Sequence, residues 1–503
     1  MSISAECVRR SHRRPGQRAG QGRTYALMRH RQSWTLVLVS LALFMTALDN
    51  LVVATALPVI RADLGANLSD LEWTVNGYNL SFACLLLTGA ALGDRFGRRR
   101  MFVIGLLGFT AASAAAACSP GVGMLVTARV VQGAAAAIVM PLTLTLISEA
   151  FPQGKRGAAI GLWGGITGLG VAVGPVVGGA IAQGGDWRWI FWINVPIGVV
   201  LAPLAARFLT ESFGPRPQLD LRGLALAATG FFGLTWGLVR GGPAGWGSAE
   251  VVTAFAAGLV LLVAFVRWQQ RARSPMLPLG LFRIRAFSTA GAVAFFSFAS
   301  LFGALFIIAQ YFQLALGYSP LEAGVRMLPW AGAPMIVAPV AGVLADRFGN
   351  RPFMAAGLAL QAVGYAWVAS IAAPGVGYAW LGTALTVSGI GISMCFPTVA
   401  NAVMGSVPLS EAGVASGANS ALRELGGVFG VALVAAVFTA NGGYGTAQHF
   451  TDGLVPAVWV AAALSAVGVI AALLAPASSQ GVPSTPAAAV PREHTGALPG
   501  ASV

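Results

Sequence analysis

Four ionisable side chains lie deep inside long apolar runs of this sequence, and they are the residues best placed to do chemistry. Asp49 lies in LALFMTALDNLVVATALP, Arg129 in MLVTARVVQGAAAAIV, and Arg423 and Glu424 are neighbours in SGANSALRELGGVFGVAL. A charge in apolar surroundings is costly, so each of these residues is a functional hypothesis. The chemistry that a buried carboxyl group offers is proton uptake and release. The sequence shows no nucleophile–base constellation, metal spacing or Walker-type glycine loop, so an enzyme is the least favoured class.

The composition indicates that the solvent for most of the chain is lipid. Of 503 residues, 56% are hydrophobic and 10% are charged, whereas a soluble domain carries about 25% charged residues. The net charge of +14 would suggest nucleic acid in a soluble protein, but no nucleic-acid-binding motif is present. Loop arginines that orient membrane helices explain the charge better. The four cysteines are scattered and the four histidines lie outside the apolar runs, so no metal centre is expected.

The apolar runs predict an all-α integral membrane protein with fourteen transmembrane helices. A helix needs about 20 apolar residues to cross a bilayer, and open strands cannot cross lipid with unpaired backbone groups. The predicted spans are 34–58, 73–93, 101–118, 123–148, 158–182, 189–209, 222–240, 249–268, 287–312, 323–345, 353–373, 377–404, 413–440 and 455–475.

The basic residues orient these spans. Residues 1–33 hold eight arginines and one acid, which predicts a basic cytoplasmic tail rather than a cleaved signal peptide. With that tail inside, sixteen basic residues fall in cytoplasmic loops and three in the opposite loops. Both termini are therefore expected in the cytoplasm. The Pro-, Ser- and Ala-rich segment 476–503 is expected to be a disordered cytoplasmic tail.

A repeated loop divides the chain. GAALGDRFGRRR (89–100) and AGVLADRFGNRP (341–352) share six of twelve positions and follow helices 2 and 10. A spacing of eight helices predicts two six-helix halves, 34–209 and 287–475, separated by two inserted helices and a linker in 210–286. The two loops are expected to latch the cytoplasmic face, with Asp94 and Asp346 bound by guanidiniums or helix N-termini. The full set of latch candidates is Asp94, Arg95, Gly97, Arg98 and Arg99, with Asp346, Arg347, Gly349 and Arg351.

These motifs resemble those of one family along residues 40–475. GDRFGRRR resembles the signature loop G-x-L-a-D-R-x-G-R-R of the major facilitator superfamily, although Ala90 replaces the leading glycine that the second copy keeps as Gly342. The run LVTARVVQG resembles the superfamily's helix 4 motif, and LDNLVVATALP and WRWIFWINVPIG resemble its fourteen-helix drug:proton antiporter branch. In span 5 the antiporter motif G-x8-G-x3-GP-x2-GG is matched at every fixed position by Gly161, Gly170, Gly174, Pro175, Gly178 and Gly179.

The resemblance implies a major facilitator fold and the export of amphipathic drug-like compounds or secondary metabolites by alternating access. It implies a monomer in the bacterial cytoplasmic membrane, with the proton gradient as energy source, no cofactor, and lipid, protons and a small-molecule substrate as partners. An importer with the same fold is the first alternative, and the antiporter motif argues against it. A transport-inactive sensor is the second, and the intact Asp49 and loop motifs argue against it.

Two of the embedded charged residues lie at similar depths in the membrane. Asp49 lies about 13 Å and Arg129 about 9 Å below the outer surface, at 1.5 Å per residue. The two are expected to form a proton-coupling couple, the alternative being a static ion pair between helices 1 and 4. Arg423 and Glu424 point about 100° apart near the middle of helix 13, where Glu424 either binds a proton or makes an interhelical contact. Candidate pocket residues are Gln310, Tyr311 and Asn401.

Overall fold

The computed structural model describes residues 15–65, 68–184, 186–215, 219–273 and 275–476, and within these ranges the chain is helical with no β-strand. Most of the C-terminal tail that the sequence predicts from residue 476 onward lies outside the described residues, as does the start of the N-terminal tail.

Among the described residues, fourteen long helices match the fourteen predicted spans one for one. They are α1 (Pro15–Leu64), α2 (Leu68–Phe96), α3 (Arg98–Ala117), α4 (Val122–Ala150), α5 (Gln153–Gly184), α6 (Asn194–Phe208), α7 (Leu221–Ala244), α8 (Ala249–Gln269), α9 (Arg285–Gln310), α10 (Pro320–Phe348), α11 (Asn350–Ile371), α12 (Tyr378–Gly405), α13 (Ala412–Asn441) and α14 (Ala447–Leu473). A helical turn, Trp189–Trp192, leads into α6. Thirteen segments of the described chain are long and apolar enough to cross a membrane, and α5, with 32 residues, is the remaining long helix.

Two helix starts differ most from the predicted ones. α1 begins at Pro15 rather than 34, so the helix continues through much of the basic tail. α14 begins at Ala447 rather than 455, because the Thr446 side chain caps the helix by accepting a hydrogen bond from the His449 N–H at 3.1 Å. Hydropathy locates where a helix enters the membrane, whereas a helix end depends on its cap.

The packing repeats with the predicted spacing of eight helices. α2 packs on α4 as α10 packs on α12, and α1 packs on α5 as α9 packs on α13. Between the halves, α5 contacts α10 and α13 contacts α2, again a pair related by eight. The 6 + 2 + 6 architecture predicted from the repeated loop is confirmed, with α1–α6 as the N-terminal half and α9–α14 as the C-terminal half.

The inserted helices α7 and α8 form a hairpin against the N-terminal half. Gly233 and Gly258 bring them together so closely that a Cβ on Gly233 would stand 2.9 Å from the Gly258 Cα. Asp220 caps α7 and also accepts hydrogen bonds from the Trp268 and Gln269 side chains at 2.8 and 2.7 Å. α7 packs mainly on α2, where the Trp236 and Trp73 ring centroids are 5.2 Å apart.

Candidate functional site

Asp49 is fully enclosed by hydrogen-bond donors from two other helices of the N-terminal half. Its Oδ2 accepts from Arg129 Nη1 at 2.5 Å, and its Oδ1 accepts from Gln132 Nε2 at 2.9 Å and from Asn194 Nδ2 at 2.7 Å. Asp49 is 1% exposed, and Arg129, Gln132 and Asn194 are 0% exposed. The predicted Asp49–Arg129 contact is therefore present, and it belongs to a four-residue network that joins α1, α4 and α6.

A second layer orients the donors of this network. Arg129 also donates from Nε to the Thr74 carbonyl at 3.0 Å, and its guanidinium lies 4.3 Å from the centroid of the Tyr78 ring. Asn194 donates to Ser113 Oγ at 3.1 Å, and Ser113 donates in turn to the Phe191 carbonyl at 2.9 Å. Side chains or backbone from α1, α2, α3, α4 and α6 thus meet around one carboxyl group.

This arrangement makes the packing of the N-terminal half depend on the charge of Asp49. A carboxylate can accept all three of the hydrogen bonds that Arg129, Gln132 and Asn194 donate, whereas a protonated acid carries an O–H that needs an acceptor. Protonation would also leave the Arg129 guanidinium without its counter-charge in a buried site, which is costly. A proton at Asp49 therefore changes the balance of contacts among three helices.

The two charged residues of α13 face different surroundings. The Arg423 guanidinium lies over the rings of Phe298 and Phe396, at 5.0 and 5.3 Å, and its Nη2 is 3.8 Å from the sulfur of Met140 in the N-terminal half. Arg423 is buried, whereas Glu424 is half-buried. A proton-coupling role for either residue stays a prediction.

The two repeated loops lie on the same face of the molecule, called the motif face below. Each loop turns between two helices at a glycine with positive φ, 103° at Gly97 and 85° at Gly349. Side chains other than glycine rarely adopt such angles, so the two glycines explain why both loops can reverse direction within one residue. Arg95, Arg347 and the neighbouring phenylalanines are exposed around these turns.

Asp346 joins the C-terminal half to the start of α5 in the N-terminal half. Its two carboxylate oxygens accept hydrogen bonds from the N–H groups of Gly157 and Ala158, each at 2.9 Å. In the other repeat, the Asp94 carboxylate lies against Gly413, the second residue of α13, where a Cβ would stand 2.0 Å from Asp94 Oδ1. The two motif-loop aspartates therefore meet helix starts of opposite halves, and their role as a latch stays a prediction.

Arg98 lies between acidic and backbone partners on the motif face. It donates from Nε to Asp94 Oδ1 at 2.8 Å, forms an ion pair with Glu149 of α4, and donates from Nη2 to the Ser410 carbonyl of the C-terminal half at 3.1 Å. Deeper in the interface, Ser416 donates to the Pro141 carbonyl at 2.6 Å. These bonds, together with those of Asp346, join the two halves at the motif face.

The segment that leads from α6 toward the inserted helices is bound to the first motif loop. The Glu211 carboxylate accepts hydrogen bonds from the N–H groups of Arg99 and Arg100, at 2.9 and 3.2 Å, and so caps the start of α3. The Gly214 N–H donates to the Asp94 carbonyl at 2.8 Å. Ser212 Oγ donates to Glu149 at 2.6 Å. We call residues 209–215 the strap.

The glycines of span 5 serve two different interfaces. A Cβ on Gly161 would stand 2.6 Å from the Ala338 carbonyl of α10, while one on Gly170 would stand 3.0 Å from the Phe44 carbonyl of α1. The two glycines are nine residues apart, which is about two and a half helical turns. They therefore lie on opposite sides of α5 and face different neighbours. Gly174 and Gly178 are buried, and the surroundings of Pro175 and Gly179 lie outside what the structure describes.

The three pocket candidates are separated in the structure. Tyr311 is fully buried at the end of α9, where its hydroxyl donates to the Ala373 carbonyl at 2.8 Å. Gln310 donates to the Phe306 carbonyl at 2.8 Å on its own helix. Asn401 lies near the motif-face end of α12 and donates to Asn350 Oδ1 at 3.0 Å. They do not form one site, and substrate contact by any of them stays a prediction.

A family model described as Major Facilitator Superfamily matches residues 39–431. The chain belongs to the major facilitator superfamily. One relative of this major facilitator protein is the tetracenomycin C resistance and export protein of Streptomyces glaucescens, 34% identical over 468 residues, which cover 92% of this chain and 85% of the relative. Another is the multidrug efflux pump LfrA of Mycolicibacterium smegmatis, 36% identical over 445 residues, covering 88% and 87%. The resemblance inferred from the motifs is confirmed.

A solved structure of the human organic anion transporter MFSD10 (TETRAN) has the same fold, with a TM-score of 0.63 over 88% of this chain and 99% of that chain at 16% identity. At this identity the comparison supports the fold of the major facilitator protein and nothing about its substrate.

Sequence reasoning missed several polar partners that this major facilitator protein uses. Gln132 and Asn194 both lie inside motifs that carry the family resemblance, but as neutral amides they do not stand out by charge. Glu149 and Glu211 lie at or beyond span ends, where an acid is unremarkable. Spacing could have found Gln132, because it lies three residues after Arg129 and so on the same helix face.

Proposed function

We propose that this transporter is a proton-coupled exporter of amphipathic drug-like compounds or secondary metabolites. It would act as a monomer in the bacterial cytoplasmic membrane, with the motif face and both termini in the cytoplasm. The observation that carries the proposal is the enclosed Asp49 carboxyl group and its three donors. A proton gradient is the energy source, and no cofactor is required.

The coupling follows from the contacts of Asp49. In the charged state the carboxylate holds Arg129, Gln132 and Asn194 and so holds α1, α4 and α6 together. In the protonated state these contacts weaken, and the helices favour a different arrangement. Proton binding then shifts the population between two conformations, as alternating access requires. The motif-face contacts of Asp94 and Asp346 close one of the two ends.

The direction of transport is supported by the relatives, whose names describe resistance, export and efflux. It is also supported by the antiporter glycine motif of α5. The rival is an importer that carries substrate and proton in the same direction on the same fold. A sensor that has lost transport is a weaker rival, because the Asp49 network is complete.

Transport by purified protein in liposomes distinguishes antiport from symport, whichever way the protein is inserted in the bilayer. With an acidic lumen, an antiporter accumulates a fluorescent amphipathic compound in the lumen, whereas a symporter depletes it. A panel of cationic, neutral and anionic compounds, chosen from a growth-inhibition profile of cells with and without the protein, supplies the substrates. Depletion would establish the importer, and no gradient-driven movement of any compound would contradict the proposed function.

A further inference from the structure

A cavity of about 390 Å³ opens on the motif face between the two halves. It is lined from the N-terminal half by the start of α5 and from the C-terminal half by α10, α11 and α12. Its polar lining comes from Gln153, Arg156, Asp346, Arg347, Asn350 and Asn401. The volume lies in the range of small-ligand sites.

Arg156 gives this cavity its chemistry. The side chain is 4% exposed, and it donates from Nη1 to the Met404 carbonyl at 3.1 Å. Its Nε has no hydrogen-bond partner among the described residues. The carboxylate of Asp346 also lines the cavity, but both of its oxygens are bound by N–H groups of α5. A buried guanidinium with a free donor calls for an acceptor that the protein does not supply.

In the N-terminal half, the arginine beside the equivalent cavity is paired with carboxylates of the protein itself. There Arg98 is paired with Asp94 and with Glu149, and the cavity beside it, of about 340 Å³, is lined by both Arg98 and Glu149. When the repeats are aligned, Asn350 stands where Arg98 stands, and Asn401 on α12 takes the role of Glu149 on α4. The ion pair of one repeat is an amide pair, 3.0 Å apart, in the other. The second cavity thus lacks a counterpart of Glu149. The carboxylate that it does contain, Asp346, interacts electrostatically with Arg156 but accepts its hydrogen bonds from N–H groups of α5.

The start of α11 adds to the positive character of the cavity, because N–H groups at a helix N-terminus favour an anion. Arg347 is exposed at the rim. Next to the rim, Phe348, Val340 and Val343 present an apolar outer face of α10, with exposures of 58%, 53% and 55%. A polar, positively charged cavity beside an apolar strip matches a molecule with an anionic head and acyl chains.

We propose that this cavity binds the headgroup phosphate of an anionic phospholipid and thereby stabilises the closed motif face. Arg156 and the amides of Asn350 and Asn401 supply the donors, and the acyl chains lie along α10. The cavity exists only where α5 of one half meets α10, α11 and α12 of the other. A ligand that bridges them favours the closed conformation over the open one.

Ser416→Cys provides a reporter of closure, because Ser416 lies buried between α13 and Pro141 of α4. The background replaces Cys7 and Cys118 by Ala, and the protein is placed in phosphatidylcholine nanodiscs. Replacing part of the lipid by phosphatidylglycerol should slow alkylation of the reporter cysteine about tenfold, if the lipid binds the closed state about tenfold more tightly. Phosphatidylglycerol added to detergent-solubilised protein should also raise its melting temperature by about 2–5 °C.

Two variants test the site itself. Arg156→Gln should lose both effects, whereas Lys155→Gln, an exposed neighbour that does not line the cavity, should keep them. The double variant Asn350→Arg with Asn401→Glu restores the ion pair of the other repeat and leaves Arg156 in place. It should close the motif face yet no longer respond to phosphatidylglycerol, so it decides the question even if Arg156→Gln is not recovered.

The source of the phosphate is resolved by adding inorganic phosphate or glycerol 3-phosphate to protein in phosphatidylcholine. If neither has an effect while phosphatidylglycerol does, the lipid assignment is supported. If soluble phosphate reproduces the whole effect, the lipid assignment is overturned in favour of a free anion. Equal responses of the Arg156→Gln and Lys155→Gln proteins, or no response at all, overturn the site. The melting shift does not depend on transport, so a failure of the proposed exporter function would leave it intact.

Discussion

Replacing Asp49 by Asn separates two roles that the structure allows for this residue. The substitution keeps the size of the side chain and its carbonyl oxygen, but it removes proton exchange and the counter-charge of Arg129. If the Asp49–Arg129 pair is a static link between α1 and α4, transport should follow stability. If Asp49 carries the proton, transport should be lost, and a second substitution that restores stability should not restore transport.

The magnitudes differ for the two roles. Leaving the 0%-exposed Arg129 guanidinium without a counter-charge costs about 3–5 kcal/mol of stability. Asp49→Asn alone is therefore expected to lower the melting temperature. Asp49→Asn combined with Arg129→Gln removes both charges and should recover most of that loss, because a buried pair contributes little net stability compared with a neutral replacement.

The assay is accumulation in liposomes with an acidic lumen. A pH difference of about two units permits at most about 100-fold accumulation per proton exchanged for a neutral substrate, since each unit is a tenfold ratio. The single and the double variant should both fail to accumulate substrate, although exchange of labelled for unlabelled substrate can continue. Gradient-driven accumulation by the double variant would refute Asp49 as the proton carrier, and Glu424 would be the next residue to replace.

Three further predictions concern the interface and the topology. Asp346→Asn weakens two charge-assisted hydrogen bonds, worth about 1.5–3 kcal/mol each. It should reduce transport but not membrane insertion, and Asp94→Asn should do the same. Full transport activity of both variants in vesicles would contradict the latch. Gly161→Leu should block closure and transport because its Cβ would stand 2.6 Å from a carbonyl of α10. Gly123→Leu at the start of α4, with open space around it, should be normal in the same assay. Cys118, exposed at the end of α3, should react with an impermeant thiol reagent from outside intact cells, and labelling that persists in Cys118→Ala would contradict the orientation.

The number and placement of the helices could be predicted because membrane crossing imposes a length of apolar sequence that can be read directly. The repeated loop then fixed the symmetry, since an eight-helix spacing leaves two helices over. Helix ends were less predictable. The capping hydroxyl of Thr446 starts α14 in a polar stretch, AQHFTDG, that hydropathy assigns to a loop.

The charged centre of the site was predictable for the same reason, because a charge in lipid is costly and two opposite charges at similar depth tend to meet. The neutral residues that complete it were not. Asn194 is neutral, so its place in an apolar run does not mark it as a functional residue. Only the fold brings it from α6 to within 2.7 Å of Asp49. The pairing of Asp346 with α5 likewise depends on how the two halves dock, which no local pattern in either half contains.

The strap has a mechanical consequence for how the molecule divides. Glu211 holds the start of α3 and Gly214 holds the first motif loop, while α7 packs on α2. The inserted hairpin is thereby bound to the N-terminal half in two places, through the strap that precedes α7 and through the packing of α7 on α2. If the two halves rock against each other, we expect eight helices to move against six, rather than six against six with the hairpin as a separate spacer. We therefore expect a split of the polypeptide into two co-expressed fragments to preserve function when it lies after α8, and to destroy it after α6, where a cut would sever the strap.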